Sequence, residues 1–125
     1  MSAAASTCPF CSLEGALLRN QLAYARYDRF PVAAGHLLII PLRHVADFFS
    51  TTIDERNAIV ALIDPARMLI EREHRPDGYN LGVNVGEAAG QTIFHVHLHV
   101  IPRYTGDVLN PRGGVRGVIP SRQNY

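Results

Sequence analysis

Hydrophobic and polar positions along this chain fall into several period-two stretches and one long stretch of helical period. The sharpest alternation lies within Thr92 to Arg103, where His95, His97 and His99 interleave with Val96, Leu98 and Val100. A strand there points the two valines and the leucine into a core and sets all three histidines on the opposite face, about 7 Å apart. Leu17 to Asp28 alternates more loosely, with Leu22, Tyr24 and Arg26 on one side and Ala23, Ala25 and Tyr27 on the other, which predicts two strands joined at Asn20-Gln21. A Pro/Gly-punctuated loop, Phe30 to Gly35, leads into His36-Leu37-Leu38-Ile39-Ile40-Pro41, a continuous apolar run that suits a central strand buried on both faces. Tyr79 to Val85 alternates again, with Leu81, Val83 and Val85 on one face.

Between these extended segments Val45 to Ser50 predicts a short helical turn, and Thr52 with Glu55 forms a capping box for a long helix. Ile59, Leu62, Ile63, Ala66 and Ile70 keep helical spacing and form one apolar stripe. Pro65 interrupts the stripe. An interior proline costs about 3 kcal/mol unless the helix kinks or breaks, so a bend or two helices is expected, ending in the charged turn Glu71 to Arg75 and stopping by Gly78. The fold class is α+β: a twisted antiparallel sheet of about five strands, with one long bent helix and a short helix on one face.

Composition narrows the picture without sharpening it. At 125 residues, 47% hydrophobic and 18% charged, the chain fits one domain with one core. A net charge of +1 gives no ground for broad binding to nucleic acid or membrane. All twelve basic residues are arginine, spread along the whole chain. No run approaches the roughly 20 apolar residues of a membrane span, and the expected location is the cytoplasm. The Ser/Ala-rich leader is expected to fray, and residues 104–125, rich in Gly, Pro and Arg, read as irregular or flexible.

Two features carry chemistry. Cys8-Pro9-Phe10-Cys11 is a cysteine pair that, in a reducing compartment, reads as half of a zinc site more readily than as a redox pair; since the chain has no other cysteine, histidines must complete the tetrahedron. The second is the trio His95, His97 and His99, half of the six histidines in the chain. A neutral imidazole is a competent nucleophile near pH 7, and its attack on phosphorus gives a covalent phosphoramidate that divides one hard displacement into two easier ones.

Gly90-Gln91-Thr92-Ile93-Phe94-His95-Val96-His97-Leu98-His99-Val100-Ile101-Pro102-Arg103 resembles the signature of the histidine triad (HIT) nucleotide hydrolases and transferases, and the likeness extends over Asp28 to His44 and Asn84 to Gly90. With its CxxC the chain is similar to the zinc-binding, bacterial-type branch of that family. The resemblance implies a HIT domain over residues 1–103, with 104–125 a tail that belongs to the same domain or to a dimer contact. It implies a structural zinc ion on Cys8, Cys11, His44 and His95, and no organic cofactor. It further implies Asp28 on the ribose hydroxyls and Asn84, Gly90, Gln91 and Thr92 around the α-phosphate with His97 and His99. His97 is then the nucleophile, and His99 stabilises charge on the phosphate. His95 is either ligand or proton shuttle, and Gln91, Thr92 or water serves the leaving group. His36, in the family's Gly-His motif, takes a structural role. The implied activity is release of a nucleoside monophosphate from a purine nucleoside polyphosphate, dinucleotide or phosphoramidate by a homodimer. Transfer to another acceptor, or nucleotide binding with vestigial activity, are the alternatives.

Overall fold

The computed structural model describes residues 7–125, so the expected fraying of the leader falls outside the described residues. Five strands form a single antiparallel sheet: β1 (Leu18–Arg19), β2 (Ala23–Tyr27), β3 (Leu37–Pro41), β4 (Gly78–Gly82) and β5 (Leu98–Arg103). Their spatial order is β1-β2-β3-β5-β4, which puts β3, the continuous apolar run, at the centre with all five residues buried. The β1–β2 turn is closed by Asn20, whose side-chain oxygen accepts from the backbone N–H groups of Leu22 and Ala23 at 3.1 and 2.9 Å.

One face of the sheet is covered by helices. Ala23, Ala25, Leu37, Ile39, Val96 and Val100 pack there with Ile59, Leu62, Ala66 and Ile70, the buried part of the predicted stripe. Complete burial of a side chain such as Ile39 or Ile70 contributes about 1.5–3 kcal/mol. The helical stretch is divided into α1 (Ile53–Ala61) and α2 (Ile63–Glu73), with the break at Leu62. Pro65 therefore sits in the first turn of α2, where a missing N–H removes no intrahelical bond. The capping box forms as predicted, Thr52 Oγ1 accepting from Glu55 N at 3.0 Å and Glu55 Oε1 from Thr52 N at 2.9 Å. The turn expected over Val45 to Ser50 is a single 3₁₀ turn, Phe48–Ser50.

The opposite face carries a second, smaller core of Tyr24, Leu38 and Ile40, roofed by Phe10 from the N-terminal segment. Tyr24 is fully buried, and its hydroxyl donates to the carbonyls of Phe10 (2.6 Å) and Ser12 (3.1 Å). This strap brings the CxxC segment onto the histidine face.

Three expectations need correction. The β5 ladder begins at Leu98 rather than before His95, because the β3–β5 pairing, which starts at Leu37↔Val100, ends at Ile39↔Leu98, and Val96 N–H bonds instead to the Val45 carbonyl at 2.9 Å. The strand expected over Tyr79 to Val85 stops at Gly82, opposite His99. The C-terminal segment is not an irregular coil. Two 3₁₀ turns, Gly114–Val118 and Pro120–Arg122, fold back on themselves, and its root is held by the Arg103–Asp107 pair (2.8 Å) and by Tyr104 Oη donating to the Ala34 carbonyl at 2.6 Å. Among the described residues, no helix is long and apolar enough to cross a membrane.

Candidate active site and metal centre

The three alternating histidines meet three different environments, and in each case the partner of one ring nitrogen fixes what the other can do. His95 is fully buried, and its Nε2 lies 2.8 Å from the Pro41 carbonyl. A carbonyl only accepts, so Nε2 carries the proton and Nδ1 keeps its lone pair. That Nδ1 faces Cys8 Sγ at 3.4 Å and Cys11 Sγ at 3.6 Å, while His44 Nδ1 lies 3.1 Å from Cys11 Sγ. All four donor atoms fall within 4.8 Å of one another. Zinc bonds of about 2.0–2.3 Å imply tetrahedral edges of about 3.3–3.8 Å, so Cys8, Cys11, His44 and His95 fit such an ion with small adjustments. Held there, the ion would tie the N-terminal strap to the His44 segment and to the start of the histidine run. Burial and the neighbouring Cys8 thiol push the Cys11 thiol up, so metal binding must displace a proton. Arg43, next to His44, grips Glu55 at 2.8 and 3.0 Å and anchors that segment to the start of α1. The same contact holds the Glu55 carboxyl down at about 2.

His97 has its Nδ1 2.9 Å from the His95 carbonyl. By the same argument Nδ1 is the protonated nitrogen, and Nε2 presents a lone pair from a half-buried ring. Phe10 packs against this ring with centroids 4.8 Å apart, so the residue between the two cysteines fixes the orientation of the middle histidine.

His99 is governed by a relay that starts outside the trio. The Val32 N–H donates to His36 Nδ1 at 3.2 Å, which places the His36 proton on Nε2. His36 Nε2 in turn lies 2.9 Å from His99 Nδ1, so His99 accepts there and carries its own proton on Nε2. His99 is thus a neutral N–H donor. Burial first, then the nearby His97 and His36, pull it down to about 4, and burial likewise lowers His36. Asp28 stands 3.5 Å from His36 Nε2, and its other oxygen accepts from Phe30 N at 2.9 Å. Asp28, His36 and His99 offer a further cluster of ligand-type atoms, but the proton on His36 Nε2 occupies the atom that would have to bind a metal.

The structure therefore brings Cys8, Cys11, His44 and His95 into one cluster and links Asp28, through His36, to His99. Gln91 differs from the remaining candidates. It is almost fully buried, its amide donating to the Ala46 and Ile93 carbonyls at 2.6 and 3.1 Å and its oxygen accepting from Gly86 N at 2.9 Å. Those bonds brace the loop between β4 and the histidines. Asn84 and Thr92 spend no side-chain hydrogen bond on the described residues, which leaves them available to a ligand. Gly90 ends the loop's 3₁₀ turn at φ +92°, a conformation L side chains rarely adopt, with open space where a Cβ would stand. Sequence reasoning missed the relay role of His36 and the contact of Phe10. The Gly-His and Cys-Pro-Phe-Cys contexts marked both residues without revealing their partners.

Comparison with known proteins agrees with this geometry. The HIT domain profile matches residues 14–106. An uncharacterised HIT-like protein of Mycoplasma genitalium is 39% identical over 105 residues, covering 79% of this chain and 74% of its own. The AP-4-A phosphorylase of Mycobacterium tuberculosis is 37% identical over 90 residues, 71% of this chain but only 46% of that enzyme. A zinc-bound histidine triad protein of Mycobacterium smegmatis superposes with a TM-score of 0.74 at 34% identity, over 85% of this chain and 81% of its own. With a HIT domain profile matched across most of its length, this chain belongs to the HIT domain family.

Proposed function

We propose that the chain is a nucleotide-processing enzyme that attacks the α-phosphorus of a purine nucleoside polyphosphate, dinucleoside polyphosphate or phosphoramidate through His97. The observation that carries this reading is the pairing of His97 Nδ1 with the His95 carbonyl at 2.9 Å, which leaves Nε2 as a free lone pair beside the neutral N–H of His99. The His97 Nε2 lone pair forms the N–P bond as the bond from phosphorus to the leaving group breaks, and the leaving group departs with the electron pair. The His99 Nε2–H donates to a non-bridging phosphate oxygen as charge builds there. The imidazolium formed at His97 is steadied through Nδ1–H by the His95 carbonyl. Water then attacks phosphorus and gives up a proton to solvent, the N–P bond breaks, its electrons return to Nε2, and a nucleoside monophosphate leaves. Asp28 holds the ribose hydroxyls, while Asn84, Thr92 and the backbone at Gly90 face the phosphate. Gln91 acts through the loop it braces. Zinc on Cys8, Cys11, His44 and His95 is structural. Two copies pair through the outer edge of β4, an edge strand of the sheet.

Transfer to inorganic phosphate is the second reading, favoured by the AP-4-A phosphorylase among the relatives. The same intermediate attacked by phosphate oxygen instead of water yields a nucleoside diphosphate. Rapid-quench mass spectrometry with dinucleoside polyphosphates and phosphoramidates tests both. Wild type is expected to gain one nucleotidyl mass, and His97→Ala none, with its fold intact by circular dichroism. Monophosphate in plain buffer identifies the hydrolase, and diphosphate on addition of phosphate the phosphorylase. Substantial turnover by His97→Ala would sink the assignment.

A further inference from the structure

The ladder between β3 and β5 ends, on the side away from the cysteines, at Leu37↔Val100, but the two chains stay together beyond it. Continuing the register four residues outward sets Tyr104, just past the end of β5, opposite Ala33. There the Tyr104 hydroxyl donates to the Ala34 carbonyl at 2.6 Å. Tyr104 is itself held firmly. Its backbone N–H donates to Asp107 at 3.1 Å and that of Thr105 to Asp77 at 2.7 Å, while Arg103 grips Asp107 at 2.8 and 2.9 Å.

The loop that Tyr104 reaches is the one that orders the histidines. Val32 must keep its N–H on His36 Nδ1, at 3.2 Å, for the His36 proton to remain on Nε2 and the His99 proton on the Nε2 of its own ring. Yet Val32 is 72% exposed and Ala34 is exposed as well, and the turn is closed by one backbone bond, from His36 N–H to the Ala33 carbonyl at 3.1 Å. A surface turn with so few bonds opens readily unless something outside it holds it. Two contacts do so. Beneath the loop, Gly35 lies against the end of α2 with a φ of +91°, where a Cβ would stand 3.0 Å from His74 and 3.2 Å from Ile70. Beside it, the Tyr104 hydroxyl fixes the next carbonyl along the chain. We propose that Tyr104 is a positioning residue for the histidines: by holding the Ala34 carbonyl it keeps Val32 N–H on His36, and so sets which nitrogen of His36, and then of His99, carries the proton. The chain that bears His99 thus supplies, five residues on, the clamp for the loop that sets its tautomer. The effect on turnover rests on the function proposed above, whereas the proton positions do not.

The test is Tyr104→Phe, which removes the hydroxyl and keeps the ring and every backbone bond around it. Nitrogen-15 NMR at neutral pH should find the His99 proton on Nε2 in wild type and distributed over both nitrogens in the variant, with circular dichroism unchanged. Turnover of adenosine 5′-phosphoramidate and of diadenosine tetraphosphate should fall alike, about three- to tenfold and mostly in kcat. In a His36→Leu background, where the relay is already absent, the same change should cost less than about twofold, whereas a hydroxyl that served stability alone would cost as much in either background. His99 still protonated on Nε2 alone in Tyr104→Phe, equal losses in the two backgrounds, or a loss confined to one substrate, which would make Tyr104 a substrate contact, would each overturn the clamp and leave the triad reading intact. Wild type that processes neither substrate would remove the triad reading, and the NMR comparison by itself would then decide the clamp.

Discussion

Replacing His36 by leucine removes two hydrogen bonds, one to Val32 N–H and one to the far nitrogen of His99, and should slow the proposed reaction although His36 makes no contact to the phosphate in it. In wild type the Val32 N–H fixes the proton of His36 on Nε2, and that nitrogen, 2.9 Å from His99 Nδ1, obliges His99 to carry its own proton on Nε2, the atom proposed to face the phosphate. Leucine leaves Val32 N–H without its acceptor and His99 Nδ1 without its donor. His99 is then free to move its proton to Nδ1 and aim a lone pair at an anionic phosphate oxygen. A hydrogen bond to a charged group is worth about 1.5–3 kcal/mol, and each 1.4 kcal/mol is tenfold in rate, so kcat/KM should fall about 10- to 100-fold, mostly in kcat. His36→Gln, whose amide nitrogen can donate to His99 while its oxygen accepts from Val32, should recover much of the loss. Nitrogen-15 NMR of the imidazoles supplies a readout independent of turnover: the His99 proton should sit on Nε2 in wild type and the Gln variant and distribute over both nitrogens in the Leu variant. Leucine-variant activity within twofold of wild type, with His99 still protonated on Nε2 alone, would refute the relay.

The same burial sets a pH dependence of stability. His99 is held at about 4 against an ordinary 6.5, so both states are neutral above pH 6.5 and the unfolded chain takes the proton first as pH falls. Stability should therefore drop between pH 6.5 and 4 by roughly 3 kcal/mol from this residue alone and level off below. Glu55, lowered to about 2, starts to lose its contribution only below about pH 4.5, which separates the two effects. Urea unfolding of Cys8→Ser at pH 7 and 4.5, with metal release removed from the comparison, is the measurement, and equal free energies at the two values would contradict it. For the metal centre, one zinc per chain is expected by native mass spectrometry and none in Cys8→Ser; free zinc at 1,000 times its Kd adds about 4 kcal/mol, a Tm difference of about 15 °C. A metal-free wild type with an unchanged Tm on adding zinc would count against that site.

Much of this arrangement can be read from residue order, because β-strand alternation is a local property. The burial of Leu37 to Pro41 and the Thr52–Glu55 cap each depend on neighbours a few positions away. What could not be read depends on contacts across long separations. The ladder stops at Leu98 because Val96 gives its backbone N–H to the Val45 carbonyl instead of continuing opposite the last residues of β3, and no pattern within the histidine run announces that. The C-terminal segment defeats periodicity altogether. Its order comes from Gly113, Gln123 and the Tyr125 ring meeting through turns, a kind of packing that leaves no stripe in the sequence.

Gln91 shows why a motif position and a chemical role are different claims. Its place in the signature suggests a group that touches substrate, but its amide is spent on Ala46, Ile93 and Gly86. The three histidines make the same point from the other side. They share a residue type, and their chemistry separates only at the second ring nitrogen. A carbonyl at Pro41 leaves His95 a lone pair on Nδ1 that faces the two cysteines, a carbonyl at His95 leaves His97 a lone pair on Nε2, and an N–H from His36 leaves His99 a proton on Nε2. His95 joins two of these arrangements: its ring belongs to the cluster with Cys8, Cys11 and His44, and its carbonyl holds the ring proposed as the nucleophile. Displacement of the His95 backbone would therefore move the ring proposed as the nucleophile without any substitution at His97 or His99, and the Cys8–Phe10 strap, pinned by the Tyr24 hydroxyl, packs against the His95 and His97 rings.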